Sequence, residues 1–403
     1  MALEAVKFCT KRHYFFNGKR GDTVDELLQR IENKKEAMLT FLEQLVNIDS
    51  AMDCPEGNRQ CAHLIGSKLA DSGFSIEYYD YPGVCTHVLA KKAGTGNKQV
   101  MISGHTDTVF LKGTVKNRPF SIRENYAYGP GVADMKGGIA MAVFVLEAMD
   151  ELGWNDNGVT VFFCGDEEPG HPKTNAAEIF EREGKGKAAV FCLEPGRPDG
   201  EVVIGRKGVI IPEMTITGTA AHAMEAHKGA SAIREMANKI QAIYKLQNID
   251  KGIFCNVGIA AGGSGASVVA EQAHLRFSIR FNKSSEGQAL LDEIRKIAAT
   301  VETAGTQTVL HDDRFLYLPF ETTEAVEQLL AFVREQGRKA GIPEIGALFQ
   351  AGGSDACWTA KVGTPTICGM GPVGGFLHNE KEYISIDALM QRAKLLALCI
   401  REI

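Results

Sequence analysis

The chain has 403 residues, 44% of them hydrophobic and 23% charged, with a net charge of −6. These are ordinary globular proportions, the length favours two domains over one growing core, and no basic surplus is available for nucleic acid. No apolar run reaches the roughly 18 residues of a membrane span, and charges break up the N-terminal apolar residues, so a soluble cytoplasmic protein with neither membrane nor nucleic-acid partner is expected.

Residues 1–21 show no clear period and stay unassigned. From Asp22 to Asn47 the apolar residues Val24, Leu27, Leu28, Ile31, Met38, Phe41, Leu42 and Leu45 recur at helical spacing. That spacing predicts one long amphipathic helix, capped by Asp22 or Thr23. A second helix over roughly 57–72 leads into strand-like stretches at 74–80, 86–92 and 99–104. The segment 137–149, GGIAMAVFVLEAM, is apolar nearly all round and predicts a buried helix. Further apolar runs at 159–165 and 188–193 read as buried strands.

The texture changes near residue 209. A strand (Val209 to Thr217), a helix (about Ala230 to Leu246), two strands (Gly252 to Ala260, Ser267 to Phe281), a helix (Glu286 to Thr303) and a strand (Gln307 to Leu318) follow in turn. This β-α-β-β-α-β order predicts a ferredoxin-like unit. Leu275, Phe277, Ile279 and Phe281 alternate with Arg276, Ser278 and Arg280, as in an antiparallel sheet with one apolar face. A helix at 321–341, a strand near 364–371 and a last helix from Asp387 resume the first texture. The expectation is an α/β domain of residues 1–208 and 319–403 that receives an inserted α+β domain, 209–318. Of the ten cysteines, Cys164, Cys192, Cys368 and Cys399 lie in apolar runs and no C-x-x-C occurs, which predicts reduced, buried thiols.

A dispersed set of imidazoles and carboxylates follows the apolar runs. His105 and Asp107 stand in SGHTDTVF (103–110), Asp134 in YGPGVADMKGG (128–138), Glu167 and Glu168 in CGDEEPGH (164–171), Glu194 in FCLEPGRP (191–198), and His378 in GGFLHNEKEY (374–383). In open α/β sheets the crevice beyond the carboxyl ends of the strands is where sites form. Adjacent glutamates ordinarily mark a solvated face, but a solvated pair has little reason to end a buried strand. Two histidines and several carboxylates without cysteine suit zinc or a similar divalent ion. Two such ions need a shared carboxylate, for which Asp134 is the candidate, while a Glu-Glu pair lets one side chain ligate and the other act as base. Alternation by two puts Asp107 on the side of His105, where it can reach the imidazole's second nitrogen. GMGPVG (369–374) has the form of a dinucleotide fingerprint, but no helix start or βαβ unit accompanies it.

Taken together, HTDTV, GPGVADMKGG, DEEPG, the glutamate of CLEP and FLHNEKEY resemble the five zinc-site motifs of the dinuclear aminoacylase and carboxypeptidase family. That family includes acetylornithine deacetylases, succinyl-diaminopimelate desuccinylases, dipeptidases and bacterial glutamate carboxypeptidases, and the last resemble this chain most. The resemblance implies a zinc-peptidase-like catalytic domain with a central mixed sheet flanked by helices, and a ferredoxin-like lid that pairs two chains into a homodimer. It implies two zinc ions, with cobalt or manganese as substitutes: His105, Asp134 and Glu194 on one, Asp134, Glu168 and His378 on the other. Glu167 becomes the general base, Asp107 orients His105, and the peptide after Asp134 is cis. His222, in GTAAHAME (218–225), polarises the scissile carbonyl of the other subunit. Arg280, and with it Arg314, grips a substrate carboxylate. Gly353, in GGSDA (352–356), belongs to a substrate loop whose Asp355 is structural, and Ser267 stands where many relatives carry Asn. The implied reaction is hydrolysis of an amide or peptide bond beside a free carboxylate in a small peptide. The alternative is an N-acyl amino acid deacylase or dipeptidase.

Overall fold

A computed structural model describes residues 23–403. The unassigned 1–21, Cys9 and the alternative cap Asp22 lie outside the described residues. Thr23 caps the first helix, its Oγ1 accepting from Glu26 N at 3.3 Å. The expected single helix is two, Val24–Asn33 and Lys35–Val46, broken at Lys34, whose φ of −92° and ψ of 1° leave helical geometry. The Lys34 ammonium sits 2.7 Å from Glu151 and 3.5 Å from Glu147. Both carboxylates belong to the predicted buried helix, Gly137–Glu151, against which both halves pack. The break turns two apolar stripes, Leu27 and Ile31, then Met38, Phe41, Leu42 and Leu45, onto one core.

That core surrounds a six-stranded mixed sheet in the order Ser75–Tyr81, Cys85–Lys92, Gly158–Cys164, Gln99–His105, Ala189–Cys192, Thr366–Ile367. The first two pairings are antiparallel and the rest parallel. All seven residues of Gly158–Cys164 are buried, as a central strand covered on both faces requires. The parallel register sets His105 opposite Cys164 and Ser103 opposite Cys192. Three strands therefore end at one level, and Glu167, Glu168 and Glu194 follow within four residues of those ends.

His378 arrives by another route. A small sheet orders Gly374–Gly375, Tyr383–Ser385, Tyr126–Tyr128 and Ser121–Arg123, all antiparallel. Its first two strands flank the loop carrying His378, and the chain leaves Tyr126–Tyr128 directly into the Asp134 loop.

A separate hydrophobic cluster is built entirely from residues between Ile210 and Phe315. Its sheet runs Gln307–His311, Glu213–Thr217, Gln272–Phe281, with Phe254–Gly262 on the far edge of Gln272–Phe281, every pair antiparallel. This is the ferredoxin-like order, covered by helices Ala232–Tyr244 and Ser284–Ala299. The expected strand 209–217 is split into Gly208–Ile210 and Glu213–Thr217, since Pro212 has no N–H for the ladder, and both parts pair with Gln272–Phe281. Pairing within 267–281 begins only at Gln272; the preceding segment docks instead on the His222 loop, Ala223 N donating to Ser267 O at 2.9 Å and Val269 N to Ala221 O at 2.8 Å. The nine described cysteines are all free and buried.

Candidate metal centre and active site

The strand ends and the small sheet bring five of the sequence-selected residues into two groups that share Asp134. His105, Asp134 and Glu194 form one, and Asp134, Glu168 and His378 the other, each with its ligand-type atoms within 4.8 Å of one another. Asp134 divides its oxygens between them: Oδ1 lies 3.2 Å from His105 Nε2, and Oδ2 lies 3.2 Å from His378 Nε2. Glu194 Oε1 is 3.6 Å from the same nitrogen of His105, and Glu168 Oε2 is 3.5 Å from that of His378. Glu167 lies in neither of these, but forms a further such set with His105 and Glu168, without Asp134. The Asp134–Met135 peptide is cis.

Asp107 lies beneath this arrangement. Its backbone carbonyl is 3.1 Å and its Oδ1 3.4 Å from His105 Nδ1, which leaves Nε2 for Asp134 and Glu194. Its carboxylate also accepts the backbone N–H groups of Glu167 at 3.1 Å and Glu168 at 3.0 Å, a contact that alternation in a strand does not reveal. Glu382 is one residue that sequence reasoning missed. Fully buried, it accepts from Gly131 N at 3.0 Å, Ala133 N at 2.8 Å and Asp134 N at 2.9 Å, and so fixes the Asp134 loop. The signal was weak: Glu382 sits in a charged run, HNEKEY, that looks solvated. Tyr317, also buried, donates its hydroxyl to the Glu167 carbonyl.

The electrostatics follow from crowding carboxylates out of water. Burial pushes the carboxyl groups of Glu167 and Glu168 up, and takes Glu194 up to about 8, with the Asp134 charge adding to it. Asp134 runs the other way: against burial, hydrogen bonds from His105 and His378 hold it below the usual carboxylate range. Asp134 and then Glu168 push His378 up to about 10. His105 is held well above its ordinary value, since its bonds to Asp107 and Asp134 overcome burial. The field of the site draws positive charge to each place where a histidine meets a carboxylate.

Residues 101–402 match the peptidase family M20/M25/M40. The chain belongs to that family. It is 28% identical over 386 residues to carboxypeptidase G2 of Pseudomonas sp. (strain RS-16), covering 94% of this chain and 92% of that protein. A succinyl-diaminopimelate desuccinylase of Methylorubrum populi is 26% identical over 354 residues, covering 81% of this chain and 88% of the other. The solved aminopeptidase PepT of Bacillus cereus, 21% identical, has the same fold, with a TM-score of 0.75 over 91% of this chain and 98% of that one. The protein is thus an M20 hydrolase related to carboxypeptidases and desuccinylases.

M20 peptidases use metal ions, and the donor set here fits divalent cations on its own terms. Among the described residues no lysine or arginine forms an ion pair with Asp134, Glu167, Glu168 or Glu194. Glu168 Oε1 is buried with no hydrogen-bond partner. Four carboxylates, three of them buried, facing two histidines are a donor set that fits divalent cations. The remaining sequence-selected residues make other contacts. His222 is exposed on the ferredoxin-like unit, where its Nδ1 accepts from Met224 N at 3.2 Å and its backbone bridges to Val268 beside Ser267. Arg280 donates to Ala351 O at 3.2 Å, and Arg314 is exposed. Gly353 lies against Tyr317, and its carbonyl accepts from Arg206 at 2.9 Å. No described helix is long and apolar enough to cross a membrane.

Proposed function

We propose that this chain is a dinuclear zinc hydrolase that cleaves an amide or peptide bond beside a free carboxylate, as a glutamate carboxypeptidase does. The observation that carries the reading is the division of Asp134 between two histidine–carboxylate groups, with Glu167 beside them in a set that lacks Asp134. In this assignment His105, Asp134 and Glu194 hold one ion, and Asp134, Glu168 and His378 the other; cobalt or manganese could replace zinc. When bound, the ions polarise the substrate carbonyl and lower the pKa of water toward about 7. Asp107 keeps His105 Nδ1 as donor, so that Nε2 is free to ligate. Glu167 takes a proton from the attacking water and delivers it to the leaving nitrogen.

Residues 209–318 act as a lid. Its Arg280, with Arg314 as a second contact, pairs with the substrate carboxylate, while Ser267 and Gly353 line the approach. Two chains associate through their lids, and His222 reaches the scissile carbonyl oxygen of the partner's site. A cytoplasmic location is part of the proposal. The alternative, an N-acyl amino acid deacylase or dipeptidase, is supported by the desuccinylase relatives. One panel separates the readings: N-acyl-glutamate, N-acetylornithine, succinyl-diaminopimelate and simple dipeptides, each with zinc present. Preference for N-acyl-glutamate is expected. Turnover confined to N-acetylornithine, succinyl-diaminopimelate or dipeptides would replace the primary reading by the alternative, and no turnover of any member would remove both.

A further inference from the structure

We propose that His171 is a positioning residue for the Glu167–Glu168 pair, acting as a buried imidazolium clamped between Asp166 and Asp355. The role given to the two glutamates rests on the function proposed above; the clamp itself does not. His171 Nδ1 lies 2.8 Å from Asp166 Oδ1, and Nε2 lies 2.6 Å from Asp355 Oδ1. The other oxygen of each aspartate already has a donor: Thr174 Oγ1 reaches Asp166 Oδ2 at 2.8 Å, and Cys164 Sγ reaches Asp355 Oδ2 at 3.1 Å. With Thr174 and Cys164 each supplying a donor to the second oxygen of an aspartate, a ring that donates from both nitrogens satisfies the cluster without a carboxyl proton, and that is the state proposed. His87 does not supply the charge. Its Nδ1 accepts from Gly165 N at 3.0 Å, and its Nε2 stands 3.9 Å from Asp166. Cys164, His171 and Asp355 also lie close enough to hold a metal ion, but a ring that donates from both nitrogens leaves no lone pair for one.

The clamp acts on a specific piece of backbone. Asp166 immediately precedes Glu167, and the turn closes through Gly170 N to Glu167 O at 2.7 Å and His171 N to Asp166 O at 3.1 Å. His171 takes a left-handed φ of 55° to bring its ring back under that turn. Asp107 holds the N–H groups of the two glutamates and Tyr317 one carbonyl; His171 supplies the third anchor. Its far end, Asp355, closes the loop that also offers Ala351 O to Arg280 and Gly353 O to Arg206. The turn bearing the base and the loop meeting the lid are therefore tied through one ring.

The test begins with ¹⁵N-histidine-labelled, zinc-loaded wild-type protein at pH 7.5. Both ring nitrogens of His171 should show protonated shifts; an unprotonated shift at either nitrogen overturns the clamp whatever the enzyme does. For activity, His171→Gln should keep two zinc ions per chain and leave KM within about threefold, while kcat falls 10- to 100-fold, the range a small misplacement of reacting groups produces. Asp355→Asn, which keeps an acceptor for Nε2, should lose kcat less, and it stands in if His171→Gln does not fold. A kcat within twofold of wild type in both variants, or a change confined to KM, overturns the positioning role. If wild type turns over nothing in the substrate panel, the functional reading fails while the ¹⁵N signals still decide the clamp.

Discussion

Replacing Gly353 by alanine tests whether the 352–356 loop and the Glu167–Glu168 turn are one packed unit. A Cβ at Gly353 falls 2.2 Å from Tyr317 Cδ2, 2.5 Å from Cγ and 2.9 Å from Cβ. Ordinary contact begins near 3.4 Å, so the ring has to retreat by about 1 Å. It cannot do so by swinging a flexible tip, because the clashing atoms sit at the root of a buried side chain. Overpacking of this kind costs about 1 to 3 kcal/mol. The same displacement pulls the Tyr317 hydroxyl from the Glu167 carbonyl, and a misplacement of about 1 Å near reacting groups can lower the rate about 10²-fold. Gly352→Ala is the matched control, since the only atom near its Cβ is Arg206 Nη1 at 3.8 Å. The assay is urea unfolding of both variants together with kcat on the best substrate of the panel. A Gly353→Ala variant with wild-type stability and rate, or a Gly352→Ala variant damaged equally, refutes the packed unit.

Four further outcomes are expected. Glu167→Gln should retain both metals and lose about 10² to 10⁴-fold in kcat, the usual size of a general-base contribution; near-normal turnover removes Glu167 from the chemistry. Asp134→Ala should lose both ions together by metal analysis, and retention of two tightly bound zinc ions refutes the shared carboxylate. The stability gap between wild type and His171→Gln should depend on pH. Burial lowers the His171 pKa, but the Asp355 charge and its two hydrogen bonds raise it well above 6.5, so its contribution is full below 6.5 and lost as pH rises through the raised value. Asp166 is depressed by His171 despite burial, so its contribution is present above 3.8 and lost as pH falls through the lowered value. Urea unfolding should therefore show the widest gap between about pH 4 and 6.5, persisting through neutrality and closing at alkaline pH; a gap that instead grows with alkalinity contradicts the imidazolium. Finally, His222→Ala and Glu167→Gln, each inactive alone, should regain about a quarter of wild-type activity when their subunits are mixed, because half the dimers are then hybrids with one complete site. Demonstrated exchange without recovery confines His222 to its own chain or excludes it.

The site residues that follow buried strands were legible because each shares a short window with the element that places it. His105, Glu167, Glu168 and Glu194 follow buried apolar strands within a few residues, so one local pattern announces both strand and side chain. The order of the ferredoxin-like strands was readable for the same reason, from alternation such as Leu275 to Phe281. Boundaries were less so. The helix breaks at Lys34, whose ammonium pairs with Glu147 and Glu151, partners more than a hundred residues on that no local window shows. Pro212 did carry a local signal, the missing N–H, that the alternation around it concealed.

What local windows could not mark are the residues that hold the site in place. Glu382 reaches Ala133 across 249 positions, and His171 reaches Asp355 across 184. Each stands in a segment whose own composition suggests a wet surface, and each is fully or nearly fully buried. A buried carboxylate or imidazole is tolerable only where its partners are already fixed, so such residues become interpretable after the fold, not before it. The asymmetry has a physical source. A metal-binding group has to face an open site, which the end of a strand provides by itself, whereas a group that orients it needs a second segment behind it. Glu382 and His171 act on opposite sides of the proposed centre, one on the Asp134 loop and the other on the Glu167–Glu168 turn. Losing either should therefore shift a different half of the site, and their double substitution should combine nearly additively if the halves are held independently.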